Sequence, residues 1–447
     1  MSTTRALPLV AALLAALPGC GPSRAGDNPP APSVGPIAAV RPEPAAAQAE
    51  DDVLAGGTVT TPQALAIAHR HHPTHALFAA NRRAVAAHVL QAQAWDNPEG
   101  EIELGRATTN DGERRGVGRL SVRQRIPWPG KRSARTNAAQ AEGAVAESEA
   151  RNVELELAGE VTAAVIDIAI DHQALAQARA AQAIAREVLG VVERRLAAGE
   201  ATKADALRAR VESLQADQAA MAFQSDLAAS RASLNALCGG VLPEVFTAAV
   251  ALDNLPVTSL EAAHATAENQ HPQFLRLQAI LRLRQCEVER ERAAAYPDVT
   301  LGAFSGRETD SRAVGLTLGM DIPLWNRNQG GIESAFAEIA RTQADLAVQQ
   351  AKVFREVDGA WRDYEKARIL AERYAGELRP VSKEALRLAL GSYQAGETSL
   401  LDLLDARRTA QGVESALLDA VRQAHAARIR LDLATGSFAE LSAGTTP

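Results

Sequence analysis

The sequence has little cysteine, few aromatic residues and no long apolar run after its amino-terminal segment. Its 447 residues include 3 cysteines, too few for the disulfide framework of a small secreted domain, and aromatic residues make up 4%. No apolar run beyond the first segment approaches the roughly 18 residues that a membrane-spanning helix needs. The 47 basic residues do not outnumber the 54 acidic ones, so charge gives no basis for a nucleic-acid partner.

Signatures of catalysis are missing as well. The sequence contains no GxxxxGK[ST] phosphate-binding loop and no local Ser–His–Asp or Cys–His grouping. We therefore expect a protein that is not an enzyme and that has no cofactor. What the sequence does have is alanine, which carries much of the 47% hydrophobic content and favours long helices packed closely together.

The amino terminus resembles a bacterial lipoprotein signal. Residues 1–19 contain a short apolar stretch and end in Leu17-Pro18-Gly19, directly before Cys20, which we predict to be lipidated. The alternative is an ordinary signal peptide with an incidental cysteine. No aspartate follows Cys20, and by resemblance to bacterial sorting this favours the outer membrane. Residues 20–58, rich in proline and alanine, are predicted to form an extended tether.

The rest of the sequence is an internal repeat with an offset of about 197 residues. Ile126-Pro127-Trp128 corresponds to Ile322-Pro323-Leu324-Trp325, and Ala198-Gly199-Glu200 corresponds to Ala395-Gly396-Glu397. Because the matches occur in the same order, we predict two repeats, residues 59–255 and 256–440. Each is expected to contain short helices, a strand hairpin, a long helix, a tight turn and a second long helix.

The predicted hairpins lie at about residues 99–127 and 297–323. Strands of about 9–10 residues with one apolar face match those of membrane-spanning barrels. An ordinary soluble hairpin with one buried face is the alternative. In the second hairpin the apolar residues alternate with small or polar ones, and they are Val314, Leu316, Leu318, Met320 and Ile322.

Long helices follow both hairpins. The segment from Ser133 to Arg195 contains no proline and would form a helix of roughly 90 Å. In the second repeat, alternating spacings of four and three predict a coiled-coil seam, and Pro380 should kink that helix because it removes a backbone donor. The seam comprises Val353, Val357, Ala360, Tyr364, Ala367, Ala371, Tyr374, Leu378, Val381, Ala385 and Leu388.

These elements require neighbours. Four amphipathic strands leave two open edges, whose backbone groups cannot be satisfied in lipid, and the long helices expose apolar faces. Assembly of several copies about one axis satisfies both requirements, although the residues alone do not fix the number of copies.

The most specific segment runs from Tyr393 to Glu397 (YQAGE) and continues from Leu401 to Arg407 (LDLLDAR), with Arg379-Pro380 upstream. It resembles the outer-membrane factor family, the TolC-like channels of bacterial tripartite efflux systems. The resemblance implies a mainly α fold in which duplicated long-helix coiled coils form an α-barrel. Two β-hairpins would contribute four strands to a trimeric 12-stranded outer-membrane β-barrel.

The same resemblance implies function and partners. The chain would be a passive exit duct, a homotrimer in outer-membrane lipid that meets a periplasmic adaptor (membrane fusion protein) and an inner-membrane RND pump. The segment from Ile126 to Arg132 (IPWPGKR) resembles the heavy-metal branch of the family. Alternatives are a duct for drugs or organic solutes, type I secretion, and a lipid-anchored periplasmic coiled-coil scaffold without a pore.

Roles for individual residues follow from the resemblance. Asp402 and Asp405, three residues apart on one helix face, match aspartates of the periplasmic gate, where three copies would form carboxylate rings. The alternative is an exposed helix face with two solvated acids. Arg407 or Arg408 could lock neighbouring helices together. The tips that would contact the adaptor comprise Arg195, Leu196, Gly199, Glu200, Tyr393, Gly396 and Glu397.

One histidine cluster suggests a metal site, at His69, His71, His72 and His75. Imidazole nitrogens bind borderline cations, so a metal-dependent periplasmic enzyme is a further alternative. Pro73 disfavours a helical conformation at His72, however, and we predict a polar helix start rather than a metal site. Cys238 and Cys286 are expected to be unpaired, buried thiols.

Overall fold

The computed structural model describes residues 57–108, 112–308 and 311–438. The predicted signal segment, Cys20 and nearly all of the predicted tether lie outside the described residues. The described chain is mainly helical and uses one order of elements twice: two shorter helices, a β-hairpin and two long helices. The first half comprises β1 (Thr58–Val59), α1 (Thr61–His71), α2 (Thr74–Gln93), β2 (Glu99–Thr108), β3 (Arg114–Ile126), α3 (Lys131–Ala197), α4 (Lys203–Leu237) and β4 (Thr247–Ala248).

The second half repeats the shorter helices, the hairpin and the long helices. The short strands belong to the first half, where β1 pairs in parallel with β4 and so joins the start of that half to its end. The second half comprises α5 (Leu260–Gln270), α6 (Pro272–Ala294), β5 (Val299–Arg307), β6 (Arg312–Met320), α7 (Gln329–Arg373), a π-helical turn (Tyr374–Leu378), α8 (Arg379–Ala395) and α9 (Leu400–Thr435).

The break between α1 and α2 follows from one proline. Pro73 disfavours the helical conformation in the residue before it, and His72 has extended backbone angles (φ −67°, ψ 136°). His71 therefore ends one helix, and His75 lies in the first turn of the next. These two histidines therefore do not share one helix face.

The longest element is α3, with 67 residues and a length of about 100 Å. It contains no proline, so its backbone hydrogen bonding is uninterrupted. It packs against α2, α4, α6 and α9, and α9 packs in turn against α7 and α8. Buried alanines such as Ala158 and Ala174 let neighbouring helices approach α3 closely. Within the described ranges, no helix is both long enough and apolar enough to cross a membrane.

The disruption predicted at Pro380 takes the form of a π-helical turn over Tyr374–Leu378. Proline has no backbone N–H, and the wider turn that precedes it accommodates one additional residue. The predicted seam is buried or half-buried as far as Tyr374, but beyond the turn the prediction is wrong by one position. The predicted positions Val381, Ala385 and Leu388 are exposed, and the residues one place later, Ser382, Leu386 and Ala389, are buried or half-buried.

The two hairpins join into one antiparallel sheet with the strand order β2-β3-β5-β6. β3 and β5 come from different halves of the chain, and they pair from Ile126 with Val299 to Gly118 with Arg307. The outer strands β2 and β6 each have one neighbour among the described strands, so the sheet has two open edges. The predicted fold class, mainly helical with two hairpins that supply four strands, is confirmed.

Candidate functional site

One face of the sheet is apolar and exposed. Residues directly opposite each other in antiparallel strands project from the same face, and Leu301 lies opposite Leu318. On the outer strand, Leu316 and Leu318 are 87% and 75% exposed. A contiguous exposed apolar surface marks a site that lipid or another protein covers. Its exposed apolar members are Ile102, Leu104, Val122, Leu301, Val314, Leu316, Leu318 and Met320.

The opposite face carries charged and small residues. Arg123 donates to Glu101 across the first hairpin (2.8 Å), and the guanidinium of Arg119 lies 4.1 Å from the centroid of the Phe304 ring. Gly315 leaves room for this ring, because a Cβ atom there would lie 2.7 Å from a ring carbon. The sheet thus separates an apolar side from a polar side, as barrel strands do between lipid and water.

Aromatic residues mark the end of the sheet that joins the helices. Trp95, Trp128, Tyr296 and Trp325 lie in the segments between strands and helices, and all four are exposed. Trp128 and Tyr296, from different halves of the chain, stack with ring centroids 5.8 Å apart. Asp298 holds this corner by accepting from the backbone N of Trp128 (3.0 Å). Tryptophan and tyrosine favour the membrane–water interface, so this end fits a headgroup region.

The two tight turns between long helices are built alike. Gly199 and Gly396 have φ angles of 77° and 79°, in the left-handed region that glycine adopts without strain. A capping box follows each turn. At the start of α4, Asp205 accepts from the backbone N and Oγ1 of Thr202, and these hydrogen bonds hold the pKa of Asp205 below its ordinary value.

The turns lie side by side, joined by Arg195 and Tyr393. The Nη2 atom of Arg195 donates to the backbone oxygen of Tyr393 (3.1 Å), and the guanidinium lies 4.8 Å from its ring centroid. Tyr393 is only 5% exposed, within an apolar cluster that joins the two helix pairs. This pair therefore fixes the turns to each other. The exposed members of the predicted adaptor surface are Leu196, Gly199, Glu200, Gly396 and Glu397.

Asp402 and Asp405 are exposed near the start of α9, on the side away from the buried Leu403. The carboxylate of Asp402 has partners in its own chain, since it accepts from the backbone N (3.1 Å) and the Oγ (2.7 Å) of Ser399. These hydrogen bonds lower the pKa of Asp402. Asp405 forms no ion pair or side-chain hydrogen bond within the described part of the chain, so its carboxylate is free for other partners.

A buried charge cluster near the turns was missed by sequence reasoning. Glu212 of α4 accepts from the Nε of Arg408 (3.2 Å), and its second oxygen lies 3.8 Å from Arg407. Glu212 and Arg407 are both buried. The two arginines thus pair with a helix of the same chain. The sequence feature that could have revealed the burial of Glu212 is its position in a helical stripe of small residues, with Ala209, Ser213 and Ala216.

The histidine cluster does not assemble into a metal centre. In residues 57–108, 112–308 and 311–438, no group of three or more His, Cys, Asp or Glu side chains could hold a metal ion. His69 and His75 instead pack edge to face, with ring centroids 4.1 Å apart. Burial, together with repulsion from His69, His72 and Arg82, lowers the pKa of His75 to about 4, so this imidazole is neutral at pH 7.

The two described cysteines are unpaired. Cys238 is buried, and burial raises the pKa of its thiol to about 12, which makes it inert. Cys286, in α6, is only half-buried, so the expectation of burial is wrong for this residue.

Comparison with known proteins accounts for the duplicated architecture. A family model described as "Outer membrane efflux protein" matches residues 67–240 and again residues 264–437, so each half of the chain carries one match.

Individual relatives and structures agree with this family. The chain is 27% identical over 385 residues to the cobalt-zinc-cadmium resistance protein CzcC of Cupriavidus metallidurans, covering 86% of this chain and 91% of that protein. It is 31% identical over 298 residues to the nickel-cobalt-cadmium resistance protein NccC of Alcaligenes xylosoxydans xylosoxydans, 65% of each chain. A solved structure of CusC shares the fold, with a TM-score of 0.69 at 18% identity over 85% of this chain and 92% of that one. The resemblance to the outer-membrane factors and their heavy-metal branch is confirmed, and the chain belongs to the outer membrane efflux protein family, whose members are transport ducts.

Proposed function

We propose that three copies of this chain close into a 12-stranded outer-membrane barrel that continues as a helical conduit, the passive exit duct of a tripartite efflux system. The observation that carries this proposal is the four-stranded sheet, with its exposed apolar face, its polar face and its two open edges. Edge backbone groups have no partner in lipid, and pairing β2 of one copy with β6 of the next would satisfy them.

The two repeats, residues 59–255 and 256–440, would each contribute one hairpin and one helix pair to the tube. Residues 1–19 would be removed as a signal, and acyl chains on Cys20 would add a lipid anchor beside the barrel, with residues 20–58 as the tether. An acylated cysteine carrying more than one chain gives stable attachment to a membrane.

The tips of the helix pairs would meet the periplasmic adaptor, which links the duct to an inner-membrane RND pump. Leu196, Gly199, Glu200, Gly396 and Glu397 supply the exposed surface of this contact. Arg195 and Tyr393 hold the two turns in register with each other. Because the contact between Arg195 and Tyr393 fixes the two turns to each other, we expect the turns to form a single docking surface per chain.

Asp402 and Asp405 would line the gate at this end of the conduit. Three copies of each would form rings of negative charge, which attract cations and repel anions. The unpaired carboxylate of Asp405 is the stronger candidate, because Asp402 also serves as a helix cap. The cargo would be heavy-metal cations, in keeping with the resistance proteins that this chain is similar to.

The test is a complementation experiment in a strain that lacks this chain. Growth is measured in cobalt, zinc, cadmium and nickel salts and in a panel of organic drugs, with plasmids that encode the wild-type chain, Leu318→Arg or Thr317→Arg. We expect the wild-type chain to restore metal tolerance. Arginine at 318 should abolish it, because a charge on the lipid face costs about 2–4 kcal/mol near the middle of the membrane. Thr317→Arg is the matched control on the polar face and should retain function.

Three results would contradict the proposal in different ways. Drug sensitivity with unchanged metal tolerance would refute the cation cargo and favour a duct for organic solutes. Equal effects of both arginine variants would refute the assignment of the lipid face. Purified, folded wild-type protein that inserts without conductance in a planar bilayer would favour a scaffold without a pore.

A further inference from the structure

Four arginines lie together at the loop end of the apolar face, and we call them the arginine row: Arg106, Arg114, Arg307 and Arg312. In the second hairpin Arg307 lies directly opposite Arg312. In the first, the register puts Arg106 and Arg114 on neighbouring strands within two positions of each other. Side chains alternate between the faces of a strand, so Arg106 projects on the side of Leu104, and the register assigns the other three to the same side.

Within the described ranges, no acidic side chain pairs with the arginine row. All four residues are exposed, and none forms an ion pair or a side-chain hydrogen bond with another described residue. Like charges directly opposite each other on adjacent strands destabilise a sheet, so Arg307 and Arg312 repel each other in the bare protein. On the polar face the situation differs, since Arg123 pairs with Glu101.

The position of the arginine row indicates which kind of ligand it binds. It borders the exposed leucine and valine side chains, at the end of the sheet opposite the aromatic residues around Trp128. Guanidinium groups at the margin of an apolar band lie at the depth of lipid headgroups. The planar guanidinium matches the oxygens of a phosphate group with two parallel hydrogen bonds.

We propose that the arginine row binds the phosphate groups of phosphorylated lipids in the leaflet that surrounds the loop end of the hairpins. This inference rests on the proposed function, because the row meets lipid only if the hairpins enter a membrane. A lipid engages two adjacent surfaces at once, the row through its phosphate and the apolar face through its acyl chains. Contact of the acyl chains with the apolar face raises the effective concentration of the phosphate at the arginine row. A soluble anion makes no such second contact.

The test is a binding titration of the purified full-length protein in a neutral detergent. The probes are diphosphorylated lipid A, the same lipid after enzymatic removal of its phosphates, and inorganic phosphate. The variant is Arg307→Gln with Arg312→Gln, and the matched control is Arg115→Gln with Arg119→Gln, which removes two charges from the polar face of β3.

We expect the wild type to bind the phosphorylated lipid, and the 307/312 variant to bind it about 30-fold more weakly. This factor corresponds to ~1 kcal/mol for each of two basic residues at an anionic lipid surface. The control should bind like the wild type. Without lipid, the melting temperature of the 307/312 variant should be no lower than that of the wild type, because removing the two arginine charges relieves the repulsion between them.

Equal affinity for the lipid with and without phosphates, or equal affinity of the wild type and the 307/312 variant, would overturn the inference. Inorganic phosphate that binds as tightly as the lipid would overturn the assignment to a lipid. Single-channel conductance of the wild type, recorded on the same preparation, reports the proposed pore alone. If a preparation fails to conduct but its lipid binding depends on the phosphates and on the arginine row, the proposed pore is refuted and the lipid site is retained.

Discussion

At both helical turns a single aspartate performs the same local task. Asp205 and Asp402 each accept two hydrogen bonds from the residue that caps the following helix, Thr202 or Ser399. The second repeat adds Asp405, which has no side-chain partner among the described residues. Capping is therefore common to both turns, whereas the proposed role in the gate belongs to one of them. This difference allows an experiment to separate the capping role of Asp402 from its proposed role in the gate.

The prediction at this scale compares Asp402→Ala with Asp205→Ala. Both changes remove a cap, so both should lower the melting temperature by similar amounts, and only Asp402→Ala should reduce cation selectivity in planar bilayers. Hydrogen bonds from Ser399 and Thr202 lower the pKa of these carboxyls from the ordinary 3.8. A lowered pKa means that the stabilisation is present above pH 3.8 and disappears as pH falls through the folded-state value. The difference in melting temperature between wild type and either variant should therefore be constant from neutral to mildly acid pH and close below about pH 4.

Two outcomes would count against this account. A melting difference that persists in strong acid would show that the carboxylate charge is not the source of the stabilisation. Loss of selectivity in Asp205→Ala as well would show that the effect arises from helix fraying and not from a carboxylate ring.

At the residue scale, the sequence predicted the glycine turns but not the buried ion pair of Glu212. Gly199 and Gly396 could be predicted because a positive φ is a local requirement of a tight turn. The pairing of Glu212 with Arg408 joins positions 196 residues apart, and no local pattern encodes it. An acid in a buried helical stripe indicates that a cation must be near, but only the packing of α4 against α9 identifies which one.

At the scale of elements, the π-helical turn decides which face of α8 is buried. The spacing of apolar residues predicted an uninterrupted seam through Val381 and Leu388, both of which are exposed. A π turn inserts one residue into the helix, so every position after it rotates by about 100° relative to the residues before it. Pro380 indicated a disruption, but a proline alone does not tell whether a helix bends or gains a residue.

The second prediction removes this additional residue. Deletion of Gly376 together with Pro380→Ala should restore a regular helix and leave Ser382 on the buried face, because it removes the residue that the wider turn accommodates. In a background with Cys286→Ser, a Ser382→Cys thiol should therefore stay protected from a labelling reagent. Tyr393 should likewise keep its place in the buried cluster and its contact with Arg195.

Pro380→Ala without the deletion is the matched contrast. It restores the missing N–H but keeps the additional residue, so a regular helix should turn Ser382 towards solvent, and the Ser382→Cys thiol should react about tenfold faster or more. Fast labelling of the deletion variant would contradict this account. Protection in both variants would show that packing against α9, and not the number of residues between the two helices, fixes the face of α8.

At the scale of the whole molecule, sequence patterns predicted the elements of the architecture but did not determine how the chains close into a ring. Periodicity predicted the hairpins and the long helices, because alternation and the absence of proline act locally. The pairing of β3 with β5 unites the two repeats in one sheet, and its register depends on contacts between halves of the chain. The sheet order leaves β2 and β6 as edges at opposite ends, and so one chain offers β2 to one neighbour and β6 to the other. Such head-to-tail pairing generates a ring when the rotation between copies closes.

The last prediction tests that closure with cysteine pairs on the two edge strands. Ile102→Cys is combined in turn with Cys at Val314, Leu316, Leu318 or Met320, in a Cys286→Ser background, and oxidised in the membrane. The two edges of one chain are three strand spacings apart, about 14 Å, which is beyond the reach of a disulfide, so any bridge joins different copies. We expect one register to give a covalent ring that migrates as a trimer on denaturing gels, because strand pairing fixes which residues lie opposite each other. Ile102→Cys with Leu301→Cys is the control, since β5 lies inside the sheet and should give no bridge. A ladder of open oligomers larger than a trimer, or equal bridging by every pair, would mean that the edges meet without a fixed register and that the chains do not close into a barrel.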